Sequence, residues 1–548
     1  MPTIHDAERL LQLHFGYRRL RPSQRPVIAS VLKGRDALAV LPTGGGKSVC
    51  FQIPALLLEG FTVVVSPLIA LMQDQVSAAG ARGIPAVAFD STLAADARAA
   101  ALTALQRREL PLVYTSPEGI VRLGAELAAR GLAPALLAVD EAHCIAEWGH
   151  DFRPAYRALR AARLRLGSPP CLALTGSATP PVRREIIANL GLTGAFGAGS
   201  APDVHLGSFD RSNLRFEVVR VRDDAGRLRA LAELLRSDVM AIIYAPTRKL
   251  TEAIARALTH RGHRAAAYHA GLEPPLRRRL LRAFLDDEVD AIVATSAFGM
   301  GIDKPTVRLV VHWSLPPTLE SYYQEAGRAG RDGRPARCVL LYRPGDGELH
   351  RRQLAVTFPS PRLAARIWAD ARQARTVPRN VLESIERLRL ELAPERGVAD
   401  WTGVRKRRRV ADERIRAVER YAGGGRCRRW VLLDYFGERL ARCGGCDRCD
   451  RRAAWWRRLL PSGGVASGSQ PHPERESGSV DALLRRWRRT RARQGGVPDG
   501  DILSDEALRW IAEVRPATRA ALGLGPGIGP RALAKWGDEL TTLGRLGE

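Results

Sequence analysis

Three glycines, a lysine and a serine stand together in "TGGGKS" (43–48), directly after the apolar run "ALAV" (37–40). Consecutive glycines let backbone N–H groups converge on an anion, a lysine neutralises its charge and a hydroxyl binds Mg²⁺. The stretch therefore reads as a cradle for nucleotide phosphates, built from Thr43, Gly44, Gly45, Gly46, Lys47 and Ser48. The usual spacing places a further glycine six positions before the lysine, where this chain has Leu41. A second element, "LLAVDEAH" (136–143), is an apolar run ending in two carboxylates. Asp140 is placed to hold Mg²⁺ through water, and Glu141 to orient and deprotonate an attacking water. Together the two elements point to phosphoanhydride hydrolysis.

Four of the eight cysteines, Cys427, Cys443, Cys446 and Cys449, fall in a C-x15-C-x2-C-x2-C pattern. Four thiolates from one chain surround Zn²⁺ tetrahedrally, and the triple C-x2-C-x2-C also occurs around iron–sulfur clusters. The other four are scattered. A chain this long, with one compact cluster, fits a reduced compartment with one metal site better than a secreted disulfide scaffold.

These residues need rigid elements to hold them. From Asp36 to about Asp346 short apolar runs alternate with helical patterns. "ALAV", "TVVVSP", "PLVYTSP", "LLAVDEAH" and "LALTGSAT" come first, and after "GSFDRSNLRFEVVRV" follow "MAIIYAPTR", "AAAYHAG", "DAIVATSAFGMG", "VRLVVHWSLP" and "RCVLLYRP". Such alternation predicts parallel sheets with helices on both faces, in two tandem α/β domains. Residues 347–426 turn arginine-rich and helical, with "RKRRR" at 405–409, and lead into the cysteines. The Gly/Ser/Pro-rich stretch 461–480 cannot bury a core and reads as linker before a last helical segment.

The chain has 548 residues, enough for several domains. Its formal charge of +27 favours a polyanionic partner such as nucleic acid. Lysine occurs at six positions only, so a coding bias toward arginine contributes to that charge. No uninterrupted apolar stretch reaches the ~18 residues of a membrane span, which leads to the expectation of a soluble, cytoplasmic protein, nucleoid-associated if bacterial.

"VDEAHCIAEWGHDFRP", "TGGGKSVCFQIPAL" and "VVVSPLIALMQDQV" resemble the RecQ family of superfamily 2 DNA helicases. The resemblance runs from about Phe15 to Arg343 and resumes at the cysteines, and that family tolerates a residue other than glycine at the position of Leu41. It implies two RecA-like domains, a helical zinc-binding subdomain and a small all-α C-terminal domain. "FGYRRLRPSQ" resembles the family's adenine-binding element, which implies stacking of the base by Tyr17 and Arg21 and amide hydrogen bonds from Gln24; an aromatic ring and a guanidinium suit a purine face, an amide its edge. "AEWGHDFRP" (146–154) resembles the aromatic-rich loop that couples single-stranded DNA to hydrolysis, implying Trp148, His150, Phe152 and Arg153 on DNA. "QEAGRAGRDG" (324–333) offers Arg328 and Arg331 to the γ-phosphate across the inter-domain cleft. "SATP" (177–180), "YHAGL" (268–272) and "FGMGIDKP" (298–305) are similar to the remaining family motifs, Asp303 falling with the nucleotide ligands. "VLLDYFGE" resembles the family's zinc subdomain and tips the cysteines toward zinc. Residues 480–545 resemble the helicase-and-RNase-D C-terminal (HRDC) domain, although a plain helical hairpin fits as well.

The resemblance implies ATP, Mg²⁺ and Zn²⁺ as cofactors, 3′→5′ movement on single-stranded DNA, forked or partial duplexes as substrates, a single-strand-binding protein as partner, and work in DNA repair and recombination. The expected division is 1–207 and 208–346 for the RecA-like domains, 347–450 for the helical insert and zinc subdomain, 451–479 for a basic linker and 480–548 for the terminal domain. It departs from the family in one respect: many members carry a winged-helix domain after the zinc site, and too little chain separates Cys449 from Val480 to hold one. The stretch 347–426 is long, and "FPSPRLAARIWADARQARTVPRNVLESI" reads as a helical insert able to take over part of that role. Arginines over 451–500, interleaved with Trp455, Trp456 and Trp487, read as a strand-binding surface. Two further readings stay open: a DNA-stimulated ATPase that binds or anneals strands without unwinding, and an RNA-directed translocase.

Overall fold

In the computed structural model the described residues are 2–42, 44–146, 153–194, 200–235, 239–296, 298–299, 304–392, 400–450, 480–495, 502–523, 525–526 and 528–545. They fall into two compact units, Met1–Pro461 and Ser462–Glu548. Among them no helix is long and apolar enough to cross a membrane.

The first unit holds two parallel sheets. One has the order β3-β4-β2-β5-β6-β1-β7, from β1 (Ala37–Val40), β2 (Thr62–Val65), β3 (Ala86–Phe89), β4 (Leu112–Thr115), β5 (Leu136–Val139), β6 (Cys171–Thr175) and β7 (Asp203–Leu206). The other has the order β10-β11-β9-β12-β13-β8, from β8 (Leu214–Arg220), β9 (Ala241–Tyr244), β10 (Ala265–Tyr268), β11 (Ala291–Ala294), β12 (Leu309–His312) and β13 (Ala336–Tyr342). The central strands "TVVV" and "LLAV" are buried along their whole length, because helices cover both faces of a parallel sheet and an unbroken apolar run satisfies both. At the edges, β3 is a short "AVAF" buried fully only at Phe89, and β7, "DVHL", alternates half-buried polar with exposed apolar residues, so neither stands out as a long, fully buried run.

Register decides what the first sheet presents. Val40 pairs with Thr175 and Val65 with Val139, while Val139 pairs with Ala173, so β1 and β6 run two residues beyond β2 and β5 at the same edge of the sheet. The glycine loop, Asp140 and Ser177 leave the sheet from that shared edge, where parallel α/β sheets bind ligands.

After β13 four helices, Gly347–Thr357, Pro361–Ala369, Arg379–Leu392 and Thr402–Gly423, form the arginine-rich insert around Trp401, Ile385 and Leu388. The cysteine module that follows grips three parts of the unit at once. Its loop docks on β8, where Asp447 N–H donates to the Phe216 carbonyl at 3.1 Å. Its helix, Arg428–Tyr435, carries two adjacent buried arginines that point apart. Arg428 turns back to Asp447 (Nε–Oδ1 3.0 Å), and Arg429 turns to the segment joining the sheets. There Arg429 pairs with Asp210 and donates to the carbonyls of Arg211 at 2.9 Å and Leu214 at 2.6 Å. Glu438 accepts from the Phe209 amide at 2.6 Å, and the Phe209 and Phe436 rings stack at 4.4 Å. Tyr323, from the second sheet's side, donates to the Phe209 carbonyl at 2.8 Å. Arg183, from the first, donates to the Phe436 carbonyl at 2.7 Å.

The second unit packs helices Val480–Gly495, Asp505–Val514, Arg519–Leu522 and Pro530–Arg545 around Leu484, Leu508, Ile511 and Leu540. Here Trp487 corrects the sequence reading. It is half-buried edge-on to Trp536, its indole N–H donating to Glu539 at 2.6 Å, so it serves packing and not a strand-binding surface. Trp455 and Trp456, with the rest of 451–479, lie outside the described residues.

Removing a buried charge-paired arginine strands its partners and costs on the order of 3 kcal/mol. Arg429→Met, which keeps most of the side-chain volume, is expected to lower the urea midpoint of the first unit's unfolding, followed by circular dichroism. An unchanged midpoint would mean that the joining segment is held without it.

Candidate nucleotide-binding cleft

The glycine loop follows β1 and has a reason for each glycine. Gly44 (φ +82°) and Gly46 (φ +74°) adopt the left-handed conformation that side chains resist. A Cβ on Gly45 would stand 2.8 Å from the Pro42 carbonyl, and one on Gly46 2.4 Å from Gln24 Nε2. Leu41, which replaces the first glycine of the usual pattern, is fully buried and packs into the hydrophobic core beside the sheet.

Glu141 also adopts a left-handed conformation (φ +46°, ψ +44°), unusual for a residue with a side chain. That turn lets its carboxylate face the loop: Lys47 Nζ lies 3.2 Å from Glu141 Oε1 and His143 Nδ1 3.2 Å from Oε2. His143 also meets Thr175 Oγ1 at 3.0 Å. Asp140 is buried, accepts from the Glu141 amide at 2.9 Å and from Gln75 Nε2 at 3.3 Å.

Charge is unevenly shared between the two acids. Burial, reinforced by the adjacent Glu141 charge, raises the Asp140 carboxyl above its ordinary range. Burial works against Glu141 as well, yet Lys47 and His143 outweigh it and hold that carboxyl well below the usual value. For His143, burial opposes the charged ring, but Cys144 and Glu141 beside it push it up to about 10.

The second sheet closes the cleft, which has a volume of about 670 Å³. Gly44, Gly45, Gly46, Lys47, Ser48, Asp140 and Glu141 line one wall, and Arg328 and Arg331 the other. A Cβ on Gly44 would lie 3.9 Å from Arg331 Cγ, so this arginine stands at the loop itself. Arg328 donates to the Gly299 carbonyl. Gln324 Nε2 bonds Ser177 Oγ at 2.6 Å, linking "QEAG" on one sheet with "SATP" on the other.

Two of the three expected adenine ligands are bonded to the glycine loop. Arg21 donates to the Gly44 carbonyl, and Gln24 Nε2 to the carbonyls of Gly45 at 3.3 Å and Gly46 at 3.0 Å, while Gln24 Oε1 accepts from the Arg21 amide at 3.0 Å. Both side chains therefore brace the loop through its carbonyls, and neither lines the cleft. Tyr17 is 62% exposed. Arg153 donates to the Pro67 carbonyl at 2.7 Å, which ties the segment after 152 to the end of β2. Thr43, Trp148, His150, Phe152 and Asp303 lie outside the described residues.

The sequence reading missed Arg211. Its guanidinium donates to the carbonyls of Ala329 at 3.2 Å and Gly330 at 2.8 Å, fixing the turn that carries Arg328 and Arg331. Its place in "SFDRSNLRF", a segment read as a boundary, gave no sign of this. His143 and Gln75 were missed similarly, since they reach the acids through turns of the chain.

The cysteines form a separate cluster. The four Sγ atoms of Cys427, Cys443, Cys446 and Cys449 lie within 4.8 Å of one another, and Cys427 Sγ and Cys446 Sγ are 3.8 Å apart. For Cys446, burial opposes ionisation, but the backbone N–H groups of Arg428, Cys449 and Arg448 hold its thiol below the ordinary value.

Comparison with known proteins places these features in a family. Residues 21–186 match the DEAD/DEAH box helicase family, 226–333 the helicase conserved C-terminal domain, 387–450 the RecQ zinc-binding family and 480–543 the HRDC domain. An ATP-dependent DNA helicase RecQ of Pasteurella multocida is 37% identical over 455 residues, covering 82% of this chain and 63% of the relative. A probable ATP-dependent DNA helicase RecS of Bacillus subtilis is 40% identical over 345 residues, covering 62% of this chain and 68% of the relative. The chain thus spans about 63% of the length of the Pasteurella relative. The DNA-bound crystal structure of the DUF1998 helicase MrfA shares the fold at a TM-score of 0.51 and 19% identity, over 62% of this chain and 51% of that one. A relative matched over two thirds of its length, domain matches in the family's order and a four-thiol cluster behind two parallel sheets make this chain a member of the RecQ family of superfamily 2.

Proposed function

We propose that this chain is an ATP- and Mg²⁺-dependent DNA helicase that moves 3′→5′ along single-stranded DNA and unwinds forked or partial duplexes in repair and recombination. One observation carries the reading: the glycine loop and acid pair of one sheet share a cleft with two arginines of the other. Hydrolysis in such a cleft depends on how the sheets stand, which is what a translocating motor requires.

In this reading a triphosphate on the loop amides draws Lys47 away from Glu141. Glu141 then loses a cation that held its carboxyl low and becomes a stronger base for the attacking water. Arg328 and Arg331 stabilise charge on the transferred phosphoryl group, and the Ser177–Gln324 hydrogen bond passes the state of one sheet to the other. Ser48 and Asp140 suit a divalent cation, because Asp140 is a buried carboxylate that among the described residues has no formal cation at bonding distance. Such a cation neutralises phosphate charge.

Thr43 and Asp303 as nucleotide ligands, Tyr17, Arg21 and Gln24 on adenine after release from the loop carbonyls, and Trp148, His150, Phe152 and Arg153 on DNA belong to the same reading. So do the domain divisions given above, a single-strand-binding protein as partner, and cytoplasmic, nucleoid-associated work. Zinc is the metal proposed for the cysteines. Four sulfurs bonded to one ion at roughly 2.3 Å lie about 3.8 Å apart at the tetrahedral edge, which matches the Cys427–Cys446 separation. A cluster of several irons spreads its ligands further.

Lys47→Ala is expected to abolish ATP hydrolysis with DNA binding retained, and turnover in that variant would overturn the site. Arg331→Ala should bind ATP yet hydrolyse it slower by on the order of 10³–10⁵, the range of arginine fingers; an unchanged rate would exclude that role. Strand displacement on matched forked DNA and RNA substrates tests the helicase reading, which fails if DNA stimulates hydrolysis without unwinding. Elemental analysis should give one zinc per chain, and Cys446→Ser should lose it together with much of the module's stability. Iron in its place would reverse the assignment.

A further inference from the structure

The helical insert carries a concentration of charge that the hydrolytic cleft does not use. Helix Thr402–Gly423 holds eight arginines and lysines against three acids, and five of the cations are consecutive, Arg405 to Arg409. They occupy the second turn, beside the positive end of the helix dipole, and like charges three and four residues apart repel. Both effects oppose the helix, and the chain itself supplies one anion there, Asp400, which accepts from the Thr402 amide at 2.8 Å.

Between this helix and Gly347–Thr357 runs a groove of about 350 Å³, lined by Arg351, Leu354, Arg405, Arg408, Arg409 and Asp412. The acids on its floor are already engaged. Glu419 takes Arg351 through two bonds, of 3.0 and 2.6 Å, and Asp412 meets Arg351 at 3.4 Å and Arg416 at 2.8 Å. Arg405, Arg408 and Arg409 are exposed and make no ion pair or side-chain hydrogen bond among the described residues, with Asp400 in electrostatic reach of Arg405. Their spacing of three and four residues brings the three guanidiniums to one face over a rise of roughly 6 Å.

We propose that this groove binds the phosphodiester backbone of duplex DNA. Unspecific grip on a single strand uses aromatic rings under the bases, and no aromatic residue lines the groove. Grip on a duplex is dominated by arginine and lysine on phosphates and needs no access to bases. The proposal rests on the DNA reading above and adds a second contact, on the duplex, supplied by a chain segment before the zinc site.

The test uses the full chain carrying Arg405→Gln, Arg408→Gln and Arg409→Gln together, beside a second variant with lysine at the same three positions. Affinity for a blunt duplex and for a single strand of equal length is followed against salt. Each phosphate contact on a duplex contributes about 0.9 to the slope of log affinity against log salt. The glutamine variant should bind duplex more weakly with a slope shallower by about 2–3, while its single-strand slope and its ATPase rate at saturating single strand stay unchanged. The lysine variant keeps the charges and should keep the duplex slope. An unchanged duplex slope in the glutamine variant, an equal loss on single strand, or a lysine variant that fails equally would each overturn the proposal. A protein without DNA-stimulated ATPase would instead defeat the helicase reading, and the duplex slopes would still be read independently.

Discussion

The architecture depends on how the segment between the two sheets is held. A free connection of this length would let the sheets part, and the cleft would lose one wall. Phe209 prevents this by stacking on Phe436 with Tyr323 beside it, while Glu438 binds its amide and Arg429 the backbone that follows. The grip comes from the cysteine module, whose loop is itself docked on β8 and whose last turn reaches Arg183 of the first sheet. The thiol cluster thus lies far along the chain yet supports the wall on which Arg328 and Arg331 stand. Arg211 extends the grip, since the segment that Arg429 fixes also sends a guanidinium to the turn bearing those arginines.

Within the cleft, electrostatics sets what can happen. Lys47, Glu141 and His143 form a short chain of charges shielded from solvent, and Asp140 is left with neutral donors. In low dielectric such a set is sensitive to one added anion, because every pairing it changes alters the others. The strained turn at Glu141 is maintained by its surroundings: Tyr156 donates to the Asp140 carbonyl at 3.1 Å, and the Asp140 carboxylate accepts from the Glu141 amide. Strain at this place keeps the carboxylate aimed at the loop before any ligand arrives.

Positive charge is divided by location. Arg328, held by the Gly299 carbonyl, and Arg331 line the cleft, whereas Arg405, Arg408 and Arg409 stand exposed in a groove whose acids are engaged. A chain without room for a further domain after the zinc site before its linker can still carry two kinds of contact with a polyanion.

Short apolar runs fixed most central strands, since a strand covered on both faces must be apolar throughout. Edge strand β7 escaped because burial asks less of it, and β3 because four apolar residues, two of them alanine, do not stand out from the helical patterns around them. The glycine loop, the acid pair and the cysteine spacing were legible because each function is concentrated in a few consecutive residues. The amino-acid sequence by itself determined this chemistry and the tandem α/β order. Tertiary structure alone decided which distant residues meet: Arg211 under the arginine turn, Gln324 on Ser177, Arg429 on the joining segment, and Arg21 and Gln24 on the loop's carbonyls instead of a free purine site. The physical reason is that a side chain's role follows from its partners in space. A guanidinium or an amide reads the same in a sequence whether it faces a ligand or a carbonyl of its own chain.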